Sequence, residues 1–165
     1  MVTRGKMSKG IIISPDKCTG CRTCELACSF IKHDNFNPKD AAISVLAFDE
    51  VGLQVPMTCL QCDDPHCVAV CPVNALEKDE NTGVVNHDRE KCIGCKMCVS
   101  ACPFGNMTYS SRLKQVIKCD ECGGDPQCVK LCPSGAIVYK ELDSSMERRR
   151  NIASCFKEAF GEVIR

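Results

Sequence analysis

The apolar positions of this chain come in short bursts, and none runs long. Ile11, Ile12 and Ile13 form the first. Residues 43–48, Ile-Ser-Val-Leu-Ala-Phe, read as a strand, with 51–55 as its partner. Ala75-Leu76 and Val84-Val85 flank a polar turn ending in Gly83, which predicts a hairpin. The stretch 107–117 predicts another, and Ala136-Ile137-Val138-Tyr139 a last strand. Only after Glu147 does the period change. Ile152, Cys155, Phe156, Ala159, Phe160 and Val163 then share one helical face, which packs on its own domain or docks on a partner. The pattern predicts an α+β fold of short hairpins and short helices, closed by a C-terminal helix.

Such bursts are thin material for a core. Leu, Ile, Val and Phe make up 38 of 165 residues, and there is no Trp. Something else must hold the chain together, and 17 cysteines are the candidate. That density means a disulfide scaffold or a metal framework. The N-terminal residues lack a signal-peptide core. No apolar stretch approaches the ~20 residues of a membrane span. Arg148-Arg149-Arg150 lies too late to be a twin-arginine signal. A cytoplasmic location is expected, where thiols stay reduced, so metal is favoured. Basic and acidic residues balance at 21 each, so bulk charge points to neither nucleic acid nor a membrane surface.

Sixteen of the cysteines form four quartets. They are Cys18, Cys21, Cys24, Cys28; Cys59, Cys62, Cys67, Cys71; Cys92, Cys95, Cys98, Cys102; and Cys119, Cys122, Cys128, Cys132. Pro72, Pro103 and Pro133 follow the last three. A four-iron cubane asks for four thiolates. Close spacing lets one loop present three sulfurs, with backbone N–H groups turned toward the negative charge. The final step of four residues is one helical turn and carries the fourth sulfur away from its own loop. In two-cluster ferredoxins that fourth Cys serves the other cluster. Structural zinc instead takes two knuckles separated by a longer gap. The expected cofactors are four [4Fe–4S] clusters.

Quartet, hairpin, quartet is the layout of a bacterial two-cluster ferredoxin. The second and third quartets therefore pair as one module. One cluster takes Cys59, Cys62, Cys67 and Cys102, the other Cys92, Cys95, Cys98 and Cys71. The first and fourth quartets are left for each other: Cys18, Cys21, Cys24 with Cys132, and Cys119, Cys122, Cys128 with Cys28. The chain divides into an outer module (1–58 and 104–140), an inner module (59–103) and a helical extension (141–165). Two interlocked modules would set four clusters in a row. His66, beside Cys67, is read as a spacer, with tuning of a cluster as the sharper reading. His33 and His87 are read as solvated, and Cys155 as a core residue of its helix.

The spacings resemble those of the electron-transfer subunits of molybdenum and tungsten bis-pterin oxidoreductases. That group includes the iron–sulfur subunits of dimethyl sulfoxide reductase and formate dehydrogenase, and ferredoxin-like subunits of some hydrogenases and carbon monoxide dehydrogenases. The resemblance covers about residues 11–140 and includes Cys102-Pro103-Phe104-Gly105 and Lys118-Cys119-Asp120-Glu121-Cys122. It implies the interlocked pairing. The first segment, Cys18 to Cys28 with His33 and Phe36-Asn37-Pro38, looks like the small partners of aldehyde ferredoxin oxidoreductase-type tungsten enzymes, class II benzoyl-coenzyme A reductase among them.

The expected role is a cytoplasmic electron-transfer subunit with no catalytic site of its own, assembled with a catalytic oxidoreductase subunit of the tungsten or molybdenum bis-pterin type. The chain shows no Gly-rich dinucleotide motif, P-loop or Ser/His/Asp set. A free-standing polyferredoxin, or a carrier linked to hydrogenase or carbon monoxide dehydrogenase, is the alternative. A zinc scaffold is the rival from another class.

Overall fold

A computed structural model describes residues 8–142 and 145–160. Its strands are β1 (Ser8–Ile13), β2 (Ile43–Phe48), β3 (Leu53–Thr58), β4 (Leu76–Lys78), β5 (Val85–His87), β6 (Thr108–Ser110), β7 (Gln115–Ile117) and β8 (Ile137–Leu142). Among the described residues they form four two-stranded antiparallel sheets. Three are the hairpins β2–β3, β4–β5 and β6–β7. The fourth is a long-range ladder, in which β1 pairs with β8 from Ser8↔Leu142 to Ile13↔Ile137. The fold is thus α+β with short hairpins, as the apolar bursts predict.

The helices are α1 (Thr23–His33), α2 (His66–Ala69), α3 (Met97–Ala101), α4 (Gln127–Lys130) and α5 (Ser145–Phe160). Their lengths follow from proline. Pro72, Pro103 and Pro133 come straight after the fourth cysteines, and α2, α3 and α4 stop just before those cysteines. Ser29 follows Cys28 instead, and α1 runs on to His33. It ends where Asp34 turns left-handed (φ 49°) and its N–H bonds Phe30 C=O at 2.8 Å. So only in α1 do the third and fourth cysteines of a quartet lie within one helix.

Two cores result. One gathers Ile11, Ile13, Ala41, Ile43, Val45 and Ile137. With them are Cys24, Cys28 and Cys128, and at its margin Cys18, Cys119 and Cys132. The other gathers Leu76, Val85, Met107 and Val116 with Cys98. Cys67, Cys71, Cys92 and Cys102 pack against it. Cysteines of the first and fourth quartets therefore share one core, and those of the second and third share the other.

The C-terminal helix packs on its own chain. Ile152 rests against the first core, and Phe156 and Phe160 meet Phe48 of β2 at ring-centroid distances of 5.4 and 5.7 Å. Cys155 is half-buried. The expected helical position Val163 lies outside the described residues. Arg148 crosses β1 so closely that a Cβ on Gly10 would collide with its guanidinium. No helix among the described residues is long and apolar enough to cross a membrane.

Candidate metal centres

All 17 cysteines are thiols rather than disulfides. The loops that carry them are built to one plan. In each quartet the residue before the second cysteine has a left-handed backbone: Gly20 (φ 69°), Gln61 (φ 46°), Gly94 (φ 68°) and Glu121 (φ 53°). The turn bends the chain back so that successive N–H groups face inward. Glycine adopts it without steric cost. Gln61 does so at a cost that buried hydrogen bonds offset, and Glu121 at a cost set against its buried ion pair with Arg148.

Those two side chains tie the loops to the rest of the molecule. Gln61, 5% exposed, donates to Cys119 C=O at 2.9 Å and accepts from Val85 N at 3.0 Å and Lys118 Nζ at 3.1 Å. It joins the loop of the second quartet to that of the fourth. Glu121, 1% exposed, meets Arg148 of α5 at 3.0 Å. Sequence reasoning passed over both residues. The signal was there: aligned on their cysteines, two quartets have Gly at this position and two have a long polar side chain.

The sulfurs gather across quartets. Cys18, Cys21, Cys24 and Cys132 line one cavity. Cys28, Cys119, Cys122 and Cys128 line a second. Cys71, Cys92, Cys95 and Cys98 line a third. Cys67 lies in the electrostatic reach of Cys59 and Cys102. The described sulfur contact of Cys62 is Arg149 Nη2, at 3.7 Å. Among the described residues no three His, Cys, Asp or Glu side chains form a single-ion site.

Burial pushes the thiols of Cys24 and Cys119 up to about 12 and that of Cys67 to about 11. Cys128 is raised further, by burial and then by Cys119 and Cys28. Clustered thiolates oppose one another in this way unless positive charge is placed among them. Backbone N–H groups already point at sulfur, from Ala42 to Cys28 at 3.3 Å, Ala75 to Cys71 at 3.2 Å and Glu121 to Cys119 at 3.4 Å. Cys21 is lowered by the Thr23 hydroxyl and N–H. Soft thiolate donors spread around cavities, with N–H groups turned inward, suit iron–sulfur clusters.

The histidines differ from expectation. His33 ends α1 and His87 ends β5, and both are half-buried rather than solvated. They line a common cavity with Lys32, Arg89, Lys118 and Asp120. Burial, then the Arg89 charge, holds both below the usual imidazole range. Their surroundings are set by packing between segments far apart in sequence, which local polarity does not reveal. His66 is exposed at the start of α2.

Residues 51–142 match the family model described as a 4Fe-4S dicluster domain, and residues 11–30 a 4Fe-4S binding domain. Over 113 residues the chain is 46% identical to the "aliphatic sulfonate oxidoreductase, polyferredoxin-like subunit" of Pyrococcus furiosus, covering 68% of this chain and 65% of that protein. Over 127 residues it is 34% identical to a subunit of the anaerobic dimethyl sulfoxide reductase of Escherichia coli K12, covering 68% of this chain and 60% of the relative. The chain thus spans less than two-thirds of the length of these two proteins. In fold it is similar to one polypeptide of the active site complex BamBC of benzoyl coenzyme A reductase with 1,5-dienoyl-CoA. There the TM-score is 0.51 and the identity 24%, with 92% of each polypeptide covered.

Proposed function

The chain belongs to the 4Fe-4S dicluster-domain family, and from that premise we propose that it is an electron-transfer subunit holding four [4Fe–4S] clusters for the catalytic subunit of a larger oxidoreductase. The observation that carries this reading is the gathering of cysteines from different quartets around shared cavities. Cys18, Cys21, Cys24 and Cys132 hold one cluster, and Cys28, Cys119, Cys122 and Cys128 the next. Cys59, Cys62, Cys67 and Cys102 hold the third, and Cys71, Cys92, Cys95 and Cys98 the fourth. The two modules interlock, with β1 and β8 closing the outer one around the inner.

When bound, such a cluster supplies a one-electron redox centre. The protein's own part is to hold distances and set potentials. Gln61 and Cys119 fix the seam between the modules, because their hydrogen bond locks the second loop against the fourth. Cys21 and Cys95 are exposed, which opens the two end sites to partners.

The finer proposal is a tungsten or molybdenum bis-pterin partner of the aldehyde oxidoreductase type, in the cytoplasm. It is supported by the segment Cys18 to Pro38 and by the oxidoreductase subunits among the relatives. Anaerobic purification from the native source tests it. About sixteen iron and sixteen sulfide per chain should be found, together with a large tungsten- or molybdenum-containing subunit. Zinc in place of iron would overturn the first claim. An iron-loaded chain that purifies alone would point to the free-standing polyferredoxin.

A further inference from the structure

The seam between the modules holds a cavity of about 110 Å³, walled by Lys32, His33, His87, Arg89, Lys118 and Asp120 among others. Three segments meet there, at the ends of α1, β5 and β7. The acidic groups around it are already committed. Asp120 meets Lys32 Nζ with both carboxylate oxygens, each at 2.6 Å. Asp40, also on the wall, is held by Arg112 and Ser110. Asp88, next to His87, pairs with Lys91 at 3.2 Å. Lys118 Nζ donates to neutral oxygens, Gln61 Oε1 at 3.1 Å and Cys119 C=O at 2.8 Å, so its charge is solvated but not cancelled. Arg89 acts by charge on both histidines, and Lys118 on His87. The field inside the cavity is therefore positive. His87 Nε2 is buried and has no hydrogen-bond partner among the described residues. A buried nitrogen in that state calls for a partner from outside the chain.

Two cysteine-lined cavities adjoin this one. Lys32, Ala42 and Asp120 also line the cavity of Cys28, Cys119, Cys122 and Cys128. His87 and Val116 also line that of Cys71, Cys92, Cys95 and Cys98. The seam cavity thus touches one cluster site of each module.

We propose that the seam cavity binds one small oxyanion of the phosphate and sulfate kind, and that the bound anion disfavours reduction of the two clusters beside it. Guanidinium, ammonium and imidazole donors converge from three segments, and each can pair with a different oxygen of a tetrahedral anion. A cavity of this size admits several waters, and so one such anion. A reduced cluster carries one more negative charge than an oxidised one, so an anion nearby opposes the added electron. Linkage makes the effect reciprocal, and reduction weakens anion binding by the same factor.

The coupling rests on the proposed clusters and the binding does not, so the test reads them apart. The full-length protein, loaded with its clusters under anoxia and kept oxidised, is titrated with inorganic phosphate at constant ionic strength in a calorimeter. One saturable site per chain is expected, with sulfate competing and chloride not. Arg89→Gln, at an exposed position, should keep parental iron and sulfide and weaken binding about tenfold. His33→Gln should weaken it by a smaller factor. Lys157→Gln removes an equal charge from the exposed side of α5, off the cavity wall, and should leave binding at the parental value. Potentiometric titration followed by electron paramagnetic resonance should then show two signals moved to lower potential by saturating phosphate. They should be those altered by Cys119→Ser and by Cys92→Ser. A parent protein without a saturable phosphate site would overturn the proposal. So would equal competition by chloride, or a Lys157→Gln loss as large as that of Arg89→Gln, since the cations would then only offset cluster charge. Binding that moves all four signals alike, or none, would overturn the coupling. A chain that holds zinc instead of iron would end the cluster reading, while the calorimetry would still decide the anion site.

Discussion

The core around Leu76, Val85 and Met107 and the core around Ile11, Ile43 and Ile137 surround the same kind of ligand loop by different means. The inner core draws on residues 67 to 116, with hairpin strands only three residues long. The outer core joins residues 11 and 152, across most of the chain. It adds a six-residue ladder and buried charge: Glu121 with Arg148, and Asp40 with Ser110 and Arg112. Closing a long loop costs more entropy than closing a short one, though the cost grows slowly. The difference teaches that the inner site is held by local packing and the outer site by long-range closure.

Three measurements would break or sharpen that contrast. The largest effect is expected from iron removal. With so little aliphatic core, the clusters supply much of the folding free energy. A chelator under reducing conditions should collapse the far-ultraviolet circular dichroism of both regions. An apoprotein that still melts cooperatively would show that packing alone holds the cores.

Next comes Arg148→Met. It strands the Glu121 carboxylate in a site 1% exposed. Removing one partner of a buried pair costs about 3–5 kcal/mol. Amide exchange should rise in β1 and β8 and stay near parental in β4 and β5. An equal rise in both regions would erase the distinction between them.

Smallest is Asp40. Burial raises its carboxyl, but the Ser110 hydroxyl and Arg112 guanidinium outweigh this and hold it below the ordinary value of 3.8. The folded state therefore binds its proton less readily than the unfolded one. The stability it contributes is present above about pH 4 and is lost as pH falls through the folded value. Asp40→Asn should cost about 1–3 kcal/mol at neutral pH. Its deficit against the parent should shrink below about pH 4. A deficit that is the same at all pH values would mean that charge plays no part.

What could be read from the sequence follows the same division. Hairpins, quartets and the β1 and β8 segments are local patterns of apolar and cysteine residues, and each is found where the pattern places it. The helical turn between Cys24 and Cys28 needed only those patterns, whereas the register that sets Ile11 opposite Tyr139 joins the two ends of the fold and was not read from them. The reach of α5 was not legible. Whether Arg148 meets Glu121 depends on how a helix crosses β1, and the one hint is Gly10 at the crossing. The seam at Gln61 was hidden because a polar residue in a cysteine loop looks solvated until a second loop closes over it. His33 and His87 were misread for the same reason.

The central claim is that cysteines of different quartets share clusters, and four serine variants test it directly. Electron paramagnetic resonance spectra of the reduced protein are compared for Cys18→Ser, Cys132→Ser, Cys28→Ser and Cys119→Ser. Serine offers a smaller, harder oxygen, so the affected cluster shifts its potential or loses an iron. The account predicts that Cys132→Ser changes the same signal as Cys18→Ser, and Cys28→Ser the same signal as Cys119→Ser. A spectrum in which Cys132→Ser groups with Cys119→Ser, and Cys28→Ser with Cys18→Ser, would contradict it and leave four separate beads on the chain.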